Sequence, residues 1–419
     1  MFRQDHTLLL ARGNILDPVT RTIRVADLLI RGGRIVEVST EPLAGTGPVA
    51  ADETINLSGK WVIPGLVDMH VHAWGNPSPT SKDGERDQDL GTEAVTQLVL
   101  HAGVTGLLDL GSLESLILPL RDKLRTVVVP HAELFASGPV FAQGRRRSGA
   151  GPRFVRDAAD ARNQVSELVA RQPDVIKVIY DHSGDAGIGS MSRAVLRAIV
   201  RAAHEFKLRA VVHIGTWQDA RDATLAGADA VTHLYDDEPI PRDLPALMKK
   251  HGTWSIPTMA VQCDFATATS SLEFWNNRLL KAVTTPGLRA DYADRANFND
   301  RAKFWGEWQT DYCRVNDFPS LRALAEAGVP LLAGTDSGNL GTFEGYSLHR
   351  ELALMVEAGV PPWQALAAAT TLPGQFLGRS FGESAGNEAN LVVLTASPIP
   401  DIHNTELISL VIVHGKVFR

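Results

Sequence analysis

The chain has 419 residues, 44% of them hydrophobic and 21% charged, with 48 acidic against 41 basic side chains and a formal net charge of −7. That composition supports one large domain with a smaller one and argues against a nucleic-acid-binding surface. The two cysteines, Cys263 and Cys313, stand in no C-x-x-C pair, so they read as packing residues, not as a disulfide framework or a thiolate zinc site.

In chain order, Met1 to Thr7 lacks a basic region followed by a long apolar one, and Leu8-Leu-Leu-Ala11 is too short to span a membrane. The expected location is the cytoplasm, with no membrane partner. Thr7–Ala11, Ala26–Arg31 and Arg34–Val38 read as short strands, with a turn at Asp17-Pro18 and a hairpin signal at Gly32-Gly33. The chain's other end repeats the pattern in Asn390–Leu394, Ser409–His414 and Val417-Phe418. Residues 1–61 and 388–419 are therefore expected to form one composite β-sandwich.

Between them apolar strands alternate with helices. Val104–Leu110, Thr126–Pro130, Val175–Tyr180, Ala210–His213, Ala230–His233, Ser255–Thr258 and Leu331–Asp336 read as strands. Arg193–Glu205, Leu321–Ala327 and Ser347–Ala358 read as helices. This alternation over residues 62–387 predicts an α/β fold, a distorted (β/α)8 TIM barrel. A doubly wound open sheet is the alternative, but no G-x-G-x-x-G follows the first strand.

Candidate chemistry gathers where these strands end. Trp61-Val-Ile-Pro-Gly-Leu-Val-Asp-Met-His70-Val-His72 closes an apolar run on two histidines spaced i, i+2, which a strand turns to one face. That is either a polar strand end or half of a metal site. Lys177, His213, His233 and Asp336 follow at later strand ends, which in a barrel form the catalytic face. Their spacing makes the H-x-H strand the first and places Lys177, His213 and His233 on strands four, five and six. Between His233 and Asp336 lie about 40 residues more than two units of roughly 30 need. The excess coincides with an aromatic-rich stretch, 262–316, expected to be an inserted helical lid. Each residue alone has a structural reading, such as a core lysine, a satisfied core histidine or a helix cap. All six in workable order favour a metal centre.

Taken together, Pro64–His72, Ala102–Gly111, Ala226–His233, Gly334–Gly338 and Glu351–Thr370 resemble the amidohydrolase superfamily over nearly the whole chain. The likeness is to its imidazolonepropionase-like and Xaa-Pro dipeptidase-like hydrolases. The resemblance implies two divalent metal ions, most often zinc. One would take His70, His72 and Asp336, and the other His213 and His233. Lys177, carboxylated by CO2, would bridge them, since an ammonium cannot bind a cation and a carbamate can. The shared water would attack a carbonyl as hydroxide, with Asp336 as base and then acid. Such barrels commonly form homo-oligomers.

For the substrate, His213-Ile-Gly-Thr-Trp carries no glutamate of the kind that the superfamily's deaminases place after strand five. That, with Lys177 on strand four, favours hydrolysis of an amide or ester over deamination, and the leading expectation is an amide-like C–N bond in a small molecule, such as an N-acyl or aminoacyl carboxylate with an aromatic or apolar group. A lactone or ester hydrolase with the same site comes second, a deaminase third, and a metal-free scaffold relative last. Instead of the peptidase-like Gly-Gly-His-Gly element, the loop after strand three carries Arg145, Arg146 and Arg147, which read as a carboxylate clamp or a solvated loop. Trp74, His131 and Tyr180 are further candidate substrate contacts. Phe265, Phe274, Trp275, Phe298, Phe304, Trp305, Trp308 and Tyr312 read as an apolar roof or a packed stripe.

Overall fold

A computed structural model describes residues 6–43, 51–80, 91–127, 129–143, 151–183, 191–234, 238–271, 273–300, 302–303 and 313–418. The first strands are β1 (Thr7–Asp17), β2 (Thr22–Arg31), β3 (Arg34–Ser39), β4 (Glu53–Asn56) and β5 (Trp61–Pro64). Next come β6 (Leu66–Val71), β7 (Val104–Asp109), β8 (Glu133–Ala136), β9 (Phe141–Gln143) and β10 (Arg153–Val155). Then follow β11 (Val175–Tyr180), β12 (Arg209–Ile214), β13 (Ala230–Thr232) and β14 (Trp254–Ile256). The chain closes with β15 (Leu391–Leu394), β16 (Ile408–Val413) and β17 (Lys416–Phe418).

Strands from both ends of the chain share one hydrogen-bonded path, β17-β16-β15-β5-β1-β2-β3, with β4 parallel to β1. Alternation along β1 explains its double burial. Leu8 and Leu10 pack with Leu28, Ile30, Val62 and Leu391, while Leu9 and Ala11 pack with Leu29 on the opposite side. The chain leaves this sheet at Gly65, where a Cβ would lie 2.1 Å from Thr105 Oγ1, so only glycine lets the first barrel strand start there.

The barrel strands form two parallel arrays, β6-β7-β8 and β10-β9-β11-β12-β13-β14. Segment 330–337 joins them on one side. Leu332 N–H donates to Ser255 O at 2.9 Å, and Met69 N–H donates to Ala333 O at 2.9 Å. On the other side Asp174 N–H donates to Ala136 O at 2.9 Å. Val67, Met69, Leu108, Phe135, Val175, Val211, Ala230, Ile256 and Leu332 fill the interior beneath the strand ends. The helix Arg193–Glu205 buries Leu196, Ile199, Val200 and Ala203 at 3.6-residue spacing, and Ser192 caps it by accepting Val195 N–H.

Two expectations need correcting. The apolar run Thr126–Pro130 is not the third strand: it follows the helix Glu114–Leu124, and the strand is Glu133–Ala136. The two cysteines are not unpaired packing residues. Cys263 lies on the helix Met259–Ser270, and the chain folds back to bring Cys313 to a Cα–Cα distance of 5.8 Å, where the two form a disulfide. The span they enclose is helical in its described part, with helices Arg278–Ala282 and Pro286–Ala293. It docks on the loop after β6: Ser78 Oγ donates to Asp291 at 2.7 Å, and Asn299 N–H donates to Pro79 O at 2.8 Å. It also meets the loop after segment 330–337, where Gly341 N–H donates to Tyr292 Oη at 2.9 Å.

Candidate metal centre

The strand ends bring six polar side chains to one end of the barrel. Val67 and Met69 face the interior, so strict alternation would turn His70 outward. The pairing of β6 with β7 slips between Asp68 and Val71, and this irregularity re-aims His70 into the barrel. There its Nδ1 lies 2.7 Å from Thr232 Oγ1, its Nε2 3.4 Å from Lys177 Nζ and 3.2 Å from Asp336 Oδ1. His72 Nε2 is 3.0 Å from the same oxygen, and its Nδ1 is 3.1 Å from Gly111 O. The His213 and His233 rings are 4.3 Å apart, and the His70 and His233 rings 5.1 Å.

Lys177 is 2% exposed, and no carboxylate lies within ion-pair distance of it among the described residues. Burial pushes its ammonium down to about 7, partly opposed by the charge of Asp336. Burial, then the positive charge of Lys177, lowers His70; burial, then His213, lowers His233. Both imidazoles are thereby held neutral, the form that ligates a metal.

Backbone strain collects here too. His233 (φ 82°), Thr258 (φ 54°) and Asp336 (φ 57°) adopt left-handed conformations, costly for a β-branched residue above all. Thr258 Oγ1 and His233 Nδ1 are 2.7 Å apart, so two of the strained residues hold each other.

The donor set suits a divalent cation. Asp336 Oδ1 is buried and makes no hydrogen bond, although two imidazole nitrogens lie within 3.2 Å of it. Three acceptor-type atoms converge without bonding to one another, as ligand atoms around a shared point do. Ligand atoms of His70, His233 and Asp336 all lie within 4.8 Å of one another.

Residues around this set hold it in place. Asp68 accepts from His70 N–H (3.2 Å), Thr335 N–H (3.0 Å) and Thr335 Oγ1 (2.7 Å), while burial raises it to about 7. Asp109 accepts from Ala73 N–H and Gly111 N–H, on either side of His72. Asp181 Oδ2 is 3.3 Å from His213 Nε2; burial works against its charge, but hydrogen bonds from His213 and Ser183 hold it down to about 2. Sequence reasoning missed all of these. The one signal for them was a set of polar residues next to the ligands on apolar strands.

The candidate substrate contacts divide. Trp74 stacks on His72 at 4.7 Å, and its Nε1 donates to Gly338 O, so it stands at the site. His131 does not join the cluster. It precedes β8 instead of following the third strand, and both ring nitrogens lie 2.9 Å from carbonyls, of Ala132 and Leu124. Tyr180 does not join it either. Three residues past the inward Lys177, it turns to the helix layer and donates to Asp222 at 3.0 Å. Arg145, Arg146 and Arg147 lie outside the described residues, as do Phe304, Trp305, Trp308 and Tyr312. Phe265, Phe274, Trp275 and Phe298 pack against one another and against Tyr292 and Phe343, which makes them core.

A parallel-strand barrel with histidines, a lysine and an aspartate at its strand ends defines the class of barrel hydrolases built around a metal centre. The model of the amidohydrolase family matches residues 61–418, and the chain belongs to that family. It is an enzyme of the amidohydrolase kind. An uncharacterised protein of Mycobacterium tuberculosis is 28% identical over 407 residues, covering 93% of this chain and 91% of its own. The crystal structure of a Xaa-Pro dipeptidase with bound methionine superposes with a TM-score of 0.76 at 21% identity, covering 99% of this chain and 100% of its own. Molinate hydrolase superposes at 0.74 with 20% identity, covering 100% and 95%. Likeness at that identity speaks for the fold.

Proposed function

We propose that this enzyme hydrolyses an amide-like C–N bond in a small N-acyl or aminoacyl carboxylate at a two-metal centre. The observation that carries the reading is Asp336 Oδ1, buried without a hydrogen bond between the Nε2 atoms of His70 and His72. His70, His72 and Asp336 would hold one ion and His213 and His233 the other, zinc by the nitrogen-rich donor set. Lys177 would bridge them as its carbamate; CO2 adds to a neutral amine, and this buried lysine is eased toward that form. Bound there, the ions supply a Lewis acid for the carbonyl and lower the pKa of an attacking water. Asp336 takes that water's proton and passes it to the leaving nitrogen. Trp74 covers one face of the His72 ring.

The Xaa-Pro dipeptidase among the structural relatives supports an amide-like substrate. The proposed compartment is the cytoplasm, although the Cys263–Cys313 bridge weighs against a strongly reducing one; thiol labelling in fresh lysate decides it. Among the described residues no helix is long and apolar enough to cross a membrane. A homo-oligomer is proposed on the resemblance alone, and sedimentation velocity tests it.

The test of the reaction is a matched panel of N-acyl amino acids, aromatic dipeptides, and the corresponding esters and lactones, given to zinc-loaded enzyme with Lys177→Ala as the blank. Amide turnover that vanishes in the variant supports the reading. Activity on esters or lactones alone replaces it with the ester-hydrolase alternative.

A further inference from the structure

We infer that Asp181 is a positioning residue that decides which nitrogen of His213 is offered to the metal centre. The inference rests on the two-metal reading above and concerns a residue that reading does not use.

Asp181 lies four residues past Lys177, just beyond β11, and it is buried. Its carboxylate is seated from three sides. Oδ1 accepts from Ser183 N–H at 2.8 Å and from Ser183 Oγ at 2.6 Å. Oδ2 lies 3.3 Å from His213 Nε2. At Gly215 a Cβ would stand 1.9 Å from Oδ1, so the residue two past His213 must be glycine for the carboxylate to sit there. The chain thus brings an acid to the strand-five histidine from the neighbouring strand, although none follows that histidine in sequence.

A carboxylate only accepts. Facing Nε2, Asp181 fixes the proton of neutral His213 on that nitrogen and leaves the lone pair on Nδ1. Metal-ligating histidines are oriented in this manner by the partner of their other nitrogen. A side chain without this partner would leave both tautomers open.

The seat makes asparagine a sharper probe than alanine. Ser183 N–H is a backbone donor and cannot turn to accept, so the end of the introduced amide that faces it must be the carbonyl oxygen. The NH2 end then faces His213 Nε2, demands its lone pair and moves the proton to Nδ1, blocking ligation. Alanine imposes no tautomer. The more conservative replacement is therefore expected to be the more harmful one, an order that a merely structural role would not produce.

The experiment compares wild type, Asp181→Asn, Asp181→Ala and Ser183→Ala, each loaded with cobalt(II) and desalted. It reads metal per chain, the visible cobalt spectrum and far-UV circular dichroism. Wild type should hold two ions. Asp181→Asn should fall to about one, with an altered spectrum and at least a tenfold lower kcat. Asp181→Ala should lose less, and Ser183→Ala, which keeps the backbone donor, least. If Asp181→Asn does not fold, Ser183→Ala against Asp181→Ala still ranks the seat, and equal metal loss in those two overturns the inference. It is also overturned if Asp181→Asn keeps two ions and the wild-type spectrum, or keeps them better than Asp181→Ala. A wild type that takes up no metal sinks the two-metal reading itself, a result separate from any ranking of variants.

Discussion

The two ends of the barrel both bury charge, and they treat it in opposite ways. At the end where the strands begin, Arg121 is fully buried and bonds Gln172 O, Asp122 and Asp174, while Arg379 meets Glu133 and Glu388. His131 has both nitrogens beside carbonyls. At the end where the strands finish, Asp336 Oδ1 has no hydrogen bond, Lys177 has no ion-pair partner among the described residues, and three residues hold left-handed backbone. Burial costs both ends alike. Pairing repays that cost at one end, and at the other the groups stay poised for a ligand. Buried charge by itself does not mark a site; what singles out this end is an unbonded carboxylate oxygen beside two imidazole nitrogens and a buried lysine.

The sharpest way to break this contrast is at Asp336. Asp336→Asn keeps the shape and removes the proposed ligand and proton carrier, so turnover should fall by about 10³-fold or more with the circular dichroism spectrum unchanged. Near-normal activity would remove Asp336 from the chemistry. Next comes Arg121→Ala at the opposite end, which leaves Asp174 with Arg125 and Ala136 N–H but takes the donor from Gln172 O. Urea denaturation should show a loss of about 2 kcal/mol, while kcat/KM of the folded fraction holds. A large change in kcat/KM would mean that the two ends are coupled.

The smallest effect concerns pH. Glu351 accepts Ala260 N–H, and burial raises it to about 8. Between the ordinary carboxylate range and 8, the unfolded chain gives up this proton and the folded one keeps it. The unfolded state therefore binds fewer protons, and stability falls as pH rises through that window. Glu351→Gln should flatten the decline, by a few degrees of Tm between pH 5 and 8. Parallel melting curves for both proteins would refute the burial argument.

The six strand-end residues were legible because each interrupts or closes an apolar run, a local signal, although parity alone would have turned His70 outward and the register slip that re-aims it shows only in the fold. Tyr180 was misread as a substrate contact against the same parity, which turns a residue three past Lys177 to the opposite face. His131 was misplaced because Thr126–Pro130 is apolar and β-branched yet only connects a helix to the strand. Asp68, Asp109 and Asp181 act across strands, through register and a glycine gap that only the folded chain creates. The disulfide was hidden for a similar reason, since no spacing rule connects cysteines at a sequence separation of 50.

That bridge turns Cys263 to Cys313 into a covalent ring threaded into the barrel wall. In the chain-entropy picture, closing a ring of that size removes freedom from the unfolded chain worth about 4 kcal/mol. A protease that cuts once within it severs the peptide chain without releasing a fragment. The nicked enzyme would migrate as one full-mass band on a denaturing gel without reductant and as two bands once a thiol is added.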